Sequence, residues 1–148
     1  MLREKIDDLI SEATKNREMF ELETIRLVKS ELMKYNASKE AVSKPMDDNI
    51  EITILKKMVK QRMESAEMYK KGNREDLASK ETDEAEYIKR FLPEEASVND
   101  IESEVNRIIT SGVEPVKKNM GQIIKAVKVK YPTADGKVVS QIVASKLS

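Results

Sequence analysis

The sequence predicts an all-α protein built as two helical units, residues 1–93 and 94–148. Three observations carry this. Apolar residues recur at three- and four-residue steps along most of the chain, and no segment shows sustained strand alternation. Only four Gly and four Pro occur in 148 residues, too few for long irregular stretches. Hydrophobic residues make up 39% and charged residues 36%, the balance of helices with one buried and one ion-covered face.

The first helical segment runs from Leu2 to Tyr35. Leu2, Ile6, Leu9, Ile10 and Ala13, then Leu22, Ile25, Val28 and Leu32, fall on one face, and Asn16 is a polar break that interrupts or bends it. Residues 36–48, with Ser, Asn, Pro45 and paired Asp, read as a loop. The next helix spans Asp47 to Lys71, with Ile50, Ile54, Leu55, Met58, Met63, Ala66 and Tyr69 inward. Gly72 is expected as its left-handed cap, and Asn73 as the cap that opens a third helix, with Asp76 three residues on. That helix ends at Phe91-Leu92, before Pro93.

Pro93-Glu94-Glu95-Ala96 is short, polar and follows a helix stop, so it is the expected boundary. Ser97 and Asp100 stand at capping-box spacing, and Ile101, Val105, Ile108 and Ile109 form the apolar face of the helix they open. Ser111-Gly112-Val113-Glu114-Pro115 ends it. Asn119 is expected to cap a fifth helix reaching Lys130, and Asp135 a last one reaching Leu147. With no Trp, two Phe and four Tyr, the cores are expected to use Ile, Leu, Val and the eight Met.

Composition excludes several chemistries. No Cys removes disulfides and thiolate catalysis, and no His removes the commonest general base and zinc ligand. Ser–His–Asp and Cys–His arrangements are impossible within this chain. Carboxylates such as Glu81, Asp83, Glu84 and Glu86 lie at helical spacings beside Lys or Arg and read as a solvated face rather than a metal site. No catalytic residue, metal or cofactor is expected. The N-terminus is charged at once and no apolar run approaches the ~18 residues of a membrane span. A soluble cytoplasmic protein with no membrane contact is the expectation.

Charge is strongly segregated. Residues 1–93 carry −1 and residues 94–114 carry −5, whereas residues 115–148 hold seven lysines against the single acid Asp135, a local charge of +6. Two readings of this stay open. The basic helices pair with the acidic one, or Lys117, Lys118, Lys125, Lys128, Lys130 and Lys137 face a polyanion, of which phosphate backbones are the usual kind. Gly121, in the first turn of its helix, either packs closely against another helix or lets a ligand approach. Tyr131 either stacks on a base or covers a helix end.

Taken together, Asn119-Met120-Gly121-Gln122-Ile123-Ile124-Lys125-Ala126 and Ala134-Asp135-Gly136-Lys137-Val138-Val139 resemble the YqeY family and the tail domain of the GatB subunit of tRNA-dependent amidotransferases. Upstream, Thr24-Ile25-Arg26-Leu27-Val28-Lys29-Ser30, Lys60-Gln61-Arg62, Gly72-Asn73-Arg74-Glu75-Asp76-Leu77, Glu81, Glu84 and Phe91-Leu92-Pro93 extend the resemblance over nearly the whole chain, favouring the free-standing YqeY protein. One departure is visible. Lys130-Tyr131-Pro132-Thr133-Ala134-Asp135 lacks one lysine and one glycine of the family's Lys-Gly-Lys-Ala-Asp turn.

The resemblance implies a multihelical N-terminal domain followed by a three-helix C-terminal domain of the GatB/YqeY-like open array. It also implies a role related to tRNA or other RNA, with Gly121 and Gln122 joining the lysines as nucleic-acid-binding residues. The catalytic domains of that carbon–nitrogen ligase have no counterpart here, so an accessory factor in translation is expected rather than an enzyme. The alternative is an adaptor that docks an aminoacyl-tRNA synthetase or amidotransferase without touching nucleic acid. A third option is an accessory enzyme of amide transfer that acts only with partner subunits.

Overall fold

The computed structural model describes residues 1–94 and 96–147, so Glu95 of the expected boundary and the terminal Ser148 lie outside the described residues. A short 3-10 turn at Leu2–Glu4 leads into α1 (Ile6–Lys15), α2 (Met19–Asn36), α3 (Glu40–Ser43), α4 (Asp48–Lys71), α5 (Glu75–Lys89) and α6 (Val98–Thr110). A second 3-10 turn at Lys117–Asn119 precedes α7 (Met120–Lys130) and α8 (Gly136–Lys146). No strand occurs among the described residues. Packing groups the chain into two units, Met1–Leu92 and Pro93–Ser148.

In the first unit, Leu2, Ile6, Ile25, Val28, Leu32, Leu55, Met58, Tyr87 and Ile88 close one core. Leu22 and Ala13 are also buried, so the three- and four-residue steps of the first 35 residues mark the inward face. The hairpin of α4 and α5 buries Ala66, Ala78 and Ala85, whose small side chains let two backbones approach. Arg62 joins the pair through Glu84 at 3.1 Å.

The helix breaks differ from expectation in instructive ways. The first segment is interrupted at Asn16, as the polar break there suggests, but a non-glycine residue makes the turn. Arg17 sits in the left-handed region at φ +56°, and its N–H and that of Glu18 donate to the carbonyls of Thr14 (3.3 Å) and Ala13 (3.0 Å), closing α1. At the end of α4 the left-handed residue is Asn73 (φ +58°), while Gly72 has φ −87°. Asn73 and Arg74 N–H groups donate to Lys70 and Tyr69 carbonyls, so Asn73 ends α4 rather than capping α5, whose first turn carries no side-chain cap. The expected loop at 36–48 contains α3, and Asp47 caps α4 by accepting from the Ile50 N–H at 2.8 Å.

Two burial patterns also differ. Met63 is exposed, as are Met19, Met33 and Met68; of the eight Met, Met58 alone is fully buried. Branched residues at the contact positions of α2 and α4 fill the core, leaving methionine on their outer faces. Glu51 is completely buried although a periodicity reading assigns an acid to solvent. Its carboxylate accepts from the Leu2 N–H (3.0 Å) and the Arg3 N–H (2.8 Å), and lies 3.4 Å from the Arg3 guanidinium. It therefore satisfies the free N–H groups of the first turn and ties that turn to α4.

The second unit buries Ile101, Val105, Ile108, Ile123, Val127, Ala134, Val139, Ile142 and Val143 between α6, α7 and α8. The capping box forms as expected, with Ser97 and Asp100 exchanging two 3.0 Å hydrogen bonds. Gly112 at φ +119° turns the chain out of α6. Asp135 accepts from Lys137 and Val138 N–H groups and caps α8. Asn119 does not cap α7. Its Nδ2 donates to the Glu114 carbonyl at 2.9 Å, fixing the 3-10 turn instead.

Candidate nucleic-acid interface

One side of α7 is sealed and the other is open. Ile123 and Val127 have no exposed surface, whereas Gly121, Gln122, Lys125, Lys128 and Val129 face solvent, preceded by exposed Lys117 and Lys118 on the 3-10 turn. Within α7, Gln122, Lys125 and Val129 follow at steps of three and four, which places them in one row, with Lys118 ahead of them on the 3-10 turn. Lys137 is exposed in the first turn of α8. The row exists because the buried positions, Ile123 and Val127, are branched apolar residues, while all but Val129 of the outward ones are lysine, glycine or glutamine.

Lys128 lies beside the start of α8. Its Nζ lies 3.0 Å from where a Cβ at Gly136 would stand, so the absent side chain at Gly136 leaves room for the ammonium at the start of α8. Gly121 is different: nothing lies within 4 Å of its would-be Cβ, and its backbone is not left-handed. Close packing against another helix of the unit is therefore not the reason for this glycine.

Among the described residues, none of Lys117, Lys118, Lys125, Lys128 and Lys137 forms an ion pair. Lys130 does, so of the expected lysines it is the one engaged within the unit. Its Nζ lies 3.0 Å from Glu104 on α6 and 5.6 Å from the centre of the Tyr131 ring. Glu104, 3% exposed, is held also by Arg107 through bonds of 2.6 and 3.1 Å. The Arg107 hydrogen bonds, opposed by burial and reinforced by Lys130, bring the Glu104 carboxyl down to about 2. Pairing of the acidic helix with the basic ones thus engages Lys130 and spares the other five lysines.

Tyr131 is half-buried against the core, which supports its reading as a helix-end cover. The shortened turn beside it has its own anchor. Thr133 is buried and donates to the Glu94 carbonyl at 3.3 Å, and Ala134 enters the core. No group of three or more Asp or Glu among the described residues is placed to hold a metal ion, and no described helix is long and apolar enough to cross a membrane. Cavities occur in the first unit, along α2, α3 and α4. One of about 590 Å³ is lined by Tyr35, Lys44, Pro45, Ile50, Ile54 and Lys57.

A family model described as Yqey-like protein matches residues 3–147. An uncharacterized protein of Schizosaccharomyces pombe is 33% identical over 98 residues, covering 66% of this chain and 73% of that relative. A protein of Pyrenophora tritici-repentis named altered inheritance of mitochondria protein 41, mitochondrial, is 27% identical over 135 residues, covering 84% of this chain and 71% of its own length. With the match running almost from end to end, this all-helical chain belongs to the YqeY-like protein family.

Proposed function

We propose that this protein is a tRNA-binding accessory factor of translation, working in the cytoplasm and related in role to the tRNA-dependent amidotransferases. The observation that carries the reading is the exposed surface of the 3-10 turn, α7 and the first turn of α8, with five lysines that form no ion pair among the described residues and an open glycine. Ammonium groups held on one face of a rigid helical unit neutralise phosphates and release counterions, which gives affinity that falls steeply with salt. The row offers little to read bases, so the proposal is recognition of backbone and shape.

The test is direct. Fluorescence anisotropy with bulk tRNA compares the natural chain with Lys125→Glu/Lys128→Glu. Both residues are exposed, so the fold is expected to persist, as far-UV circular dichroism checks. Loss of binding supports the reading; unchanged affinity and salt dependence overturn it. Cell fractionation tests location, and recovery with mitochondria overturns the cytoplasmic part.

A second reading has one observation in its favour. Three adjoining cavities share residues and form a groove between α2 and α4, with Ile54 and Met58 along it and exposed Leu27 at one end. A translation enzyme docking there would make the protein an adaptor. Affinity capture from a lysate, with and without nuclease, separates the two. Partners that persist after nuclease favour the adaptor.

A further inference from the structure

We infer that Gln122 is the residue of the α7 row that distinguishes RNA from DNA, by bonding a ribose 2′-hydroxyl. The inference rests on the row being the nucleic-acid interface. Its argument is separate, because an ammonium favours the anionic phosphate, which both polymers carry, over a neutral hydroxyl. An ammonium only donates, and phosphates are the same in both polymers. A 2′-hydroxyl both donates and accepts, and a carboxamide is the side chain that matches it from either side.

Placement favours the sugar over a base edge. Gln122 lies three residues before Lys125 on the same exposed row of α7, and exposed Lys118 stands on the 3-10 turn ahead of it. A side chain between two phosphate-binding ammonium groups stands where the intervening sugar passes. Its amide is exposed and has no hydrogen-bond partner among the described residues. Beside it, Gly121 leaves a notch with nothing within 4 Å of its would-be Cβ, so the strand can come close to the helix there. Gln141 on α8 provides an internal comparison. It too is exposed and stands four residues after Lys137, but Ser140 precedes it and no notch adjoins it.

The test uses a fluorescent RNA stem-loop and its 2′-fluoro counterpart, which keeps the A-form shape but removes the hydroxyl. The natural chain is expected to prefer the hydroxyl form by roughly two- to tenfold, the range of one net hydrogen bond. Gln122→Ala is expected to abolish that preference while leaving the salt slope unchanged, and Gln141→Ala to retain it. A Gln122→Ala chain that keeps the preference, or a natural chain that shows none, overturns the inference and leaves the lysine face standing. If Lys125→Glu/Lys128→Glu binds both stem-loops as tightly as the natural chain, the interface reading itself fails, and this inference with it.

Discussion

Replacing Gly121 with alanine separates a folding role from a binding role. Glycine inside a helix is less favourable than alanine by roughly 0.5–1 kcal/mol because it loses more backbone freedom. That deficit is normally offset by close packing or a left-handed backbone. Neither applies at Gly121, where the added methyl meets nothing within 4 Å and the backbone is not left-handed. Gly121→Ala is therefore expected to raise stability by about 0.5–1 kcal/mol, or about 2–8 °C in Tm for a domain of this size. On the proposed reading the same methyl stands between the helix and the approaching strand, so tRNA affinity falls by roughly threefold to tenfold, equivalent to about 0.7–1.4 kcal/mol. Thermal melts followed by circular dichroism and anisotropy titrations with tRNA measure the two quantities on one preparation. A gain in stability with no loss of affinity refutes the functional argument. A loss of stability refutes the premise that the space is open.

Other substitutions test the packing. Glu104→Gln removes the buried charge that holds Arg107 and Lys130, and is expected to cost about 1–2 kcal/mol in urea unfolding, less than a fully buried pair because both cations remain half in water. The Glu104 carboxyl is depressed to about 2, so the unfolded chain binds the extra proton. Its contribution is present above pH ~4.5 and is lost as pH falls toward 2, and the Gln variant should show a shallower acid limb in that window. Glu51→Ala strands two N–H groups and is expected to destabilise by about 2–4 kcal/mol, with faster amide exchange at Leu2 and Arg3. Arg17→Gly relieves a left-handed arginine and is expected to stabilise by about 0.5–1 kcal/mol in thermal melts.

Much of the fold could be read from the chain because its helices are held by simple rules. Most inward positions of α2, α6 and α7 are apolar at regular steps, and Ser97, Asp100 and Asp135 stand where helix starts need caps. Helix ends were harder. A left-handed arginine at position 17 contradicts residue preference, because the following N–H bonds outweigh a local penalty of about 1 kcal/mol, whereas asparagine at 73 tolerates that conformation and takes the place expected of the neighbouring Gly72. Glu51 and Glu104 were hidden for a shared reason: each is an acid at an inward position, and its partners come from a distant segment. Sequence places Leu2 and Arg3 some 48 residues from Glu51, and Lys130 some 26 residues from Glu104. The lysine-rich tail was plain from composition. Which lysine is engaged was not, since that depends on how α7 is rotated against α6.

The salt dependence of tRNA binding tests the central claim most directly. With five lysines on the face, the plot of log affinity against log salt concentration is expected to fall with a slope of about −3.5 to −4.5, and Lys125→Glu/Lys128→Glu to flatten it by about 2. Binding that does not change with salt, or a slope that the double substitution leaves in place, would contradict the account.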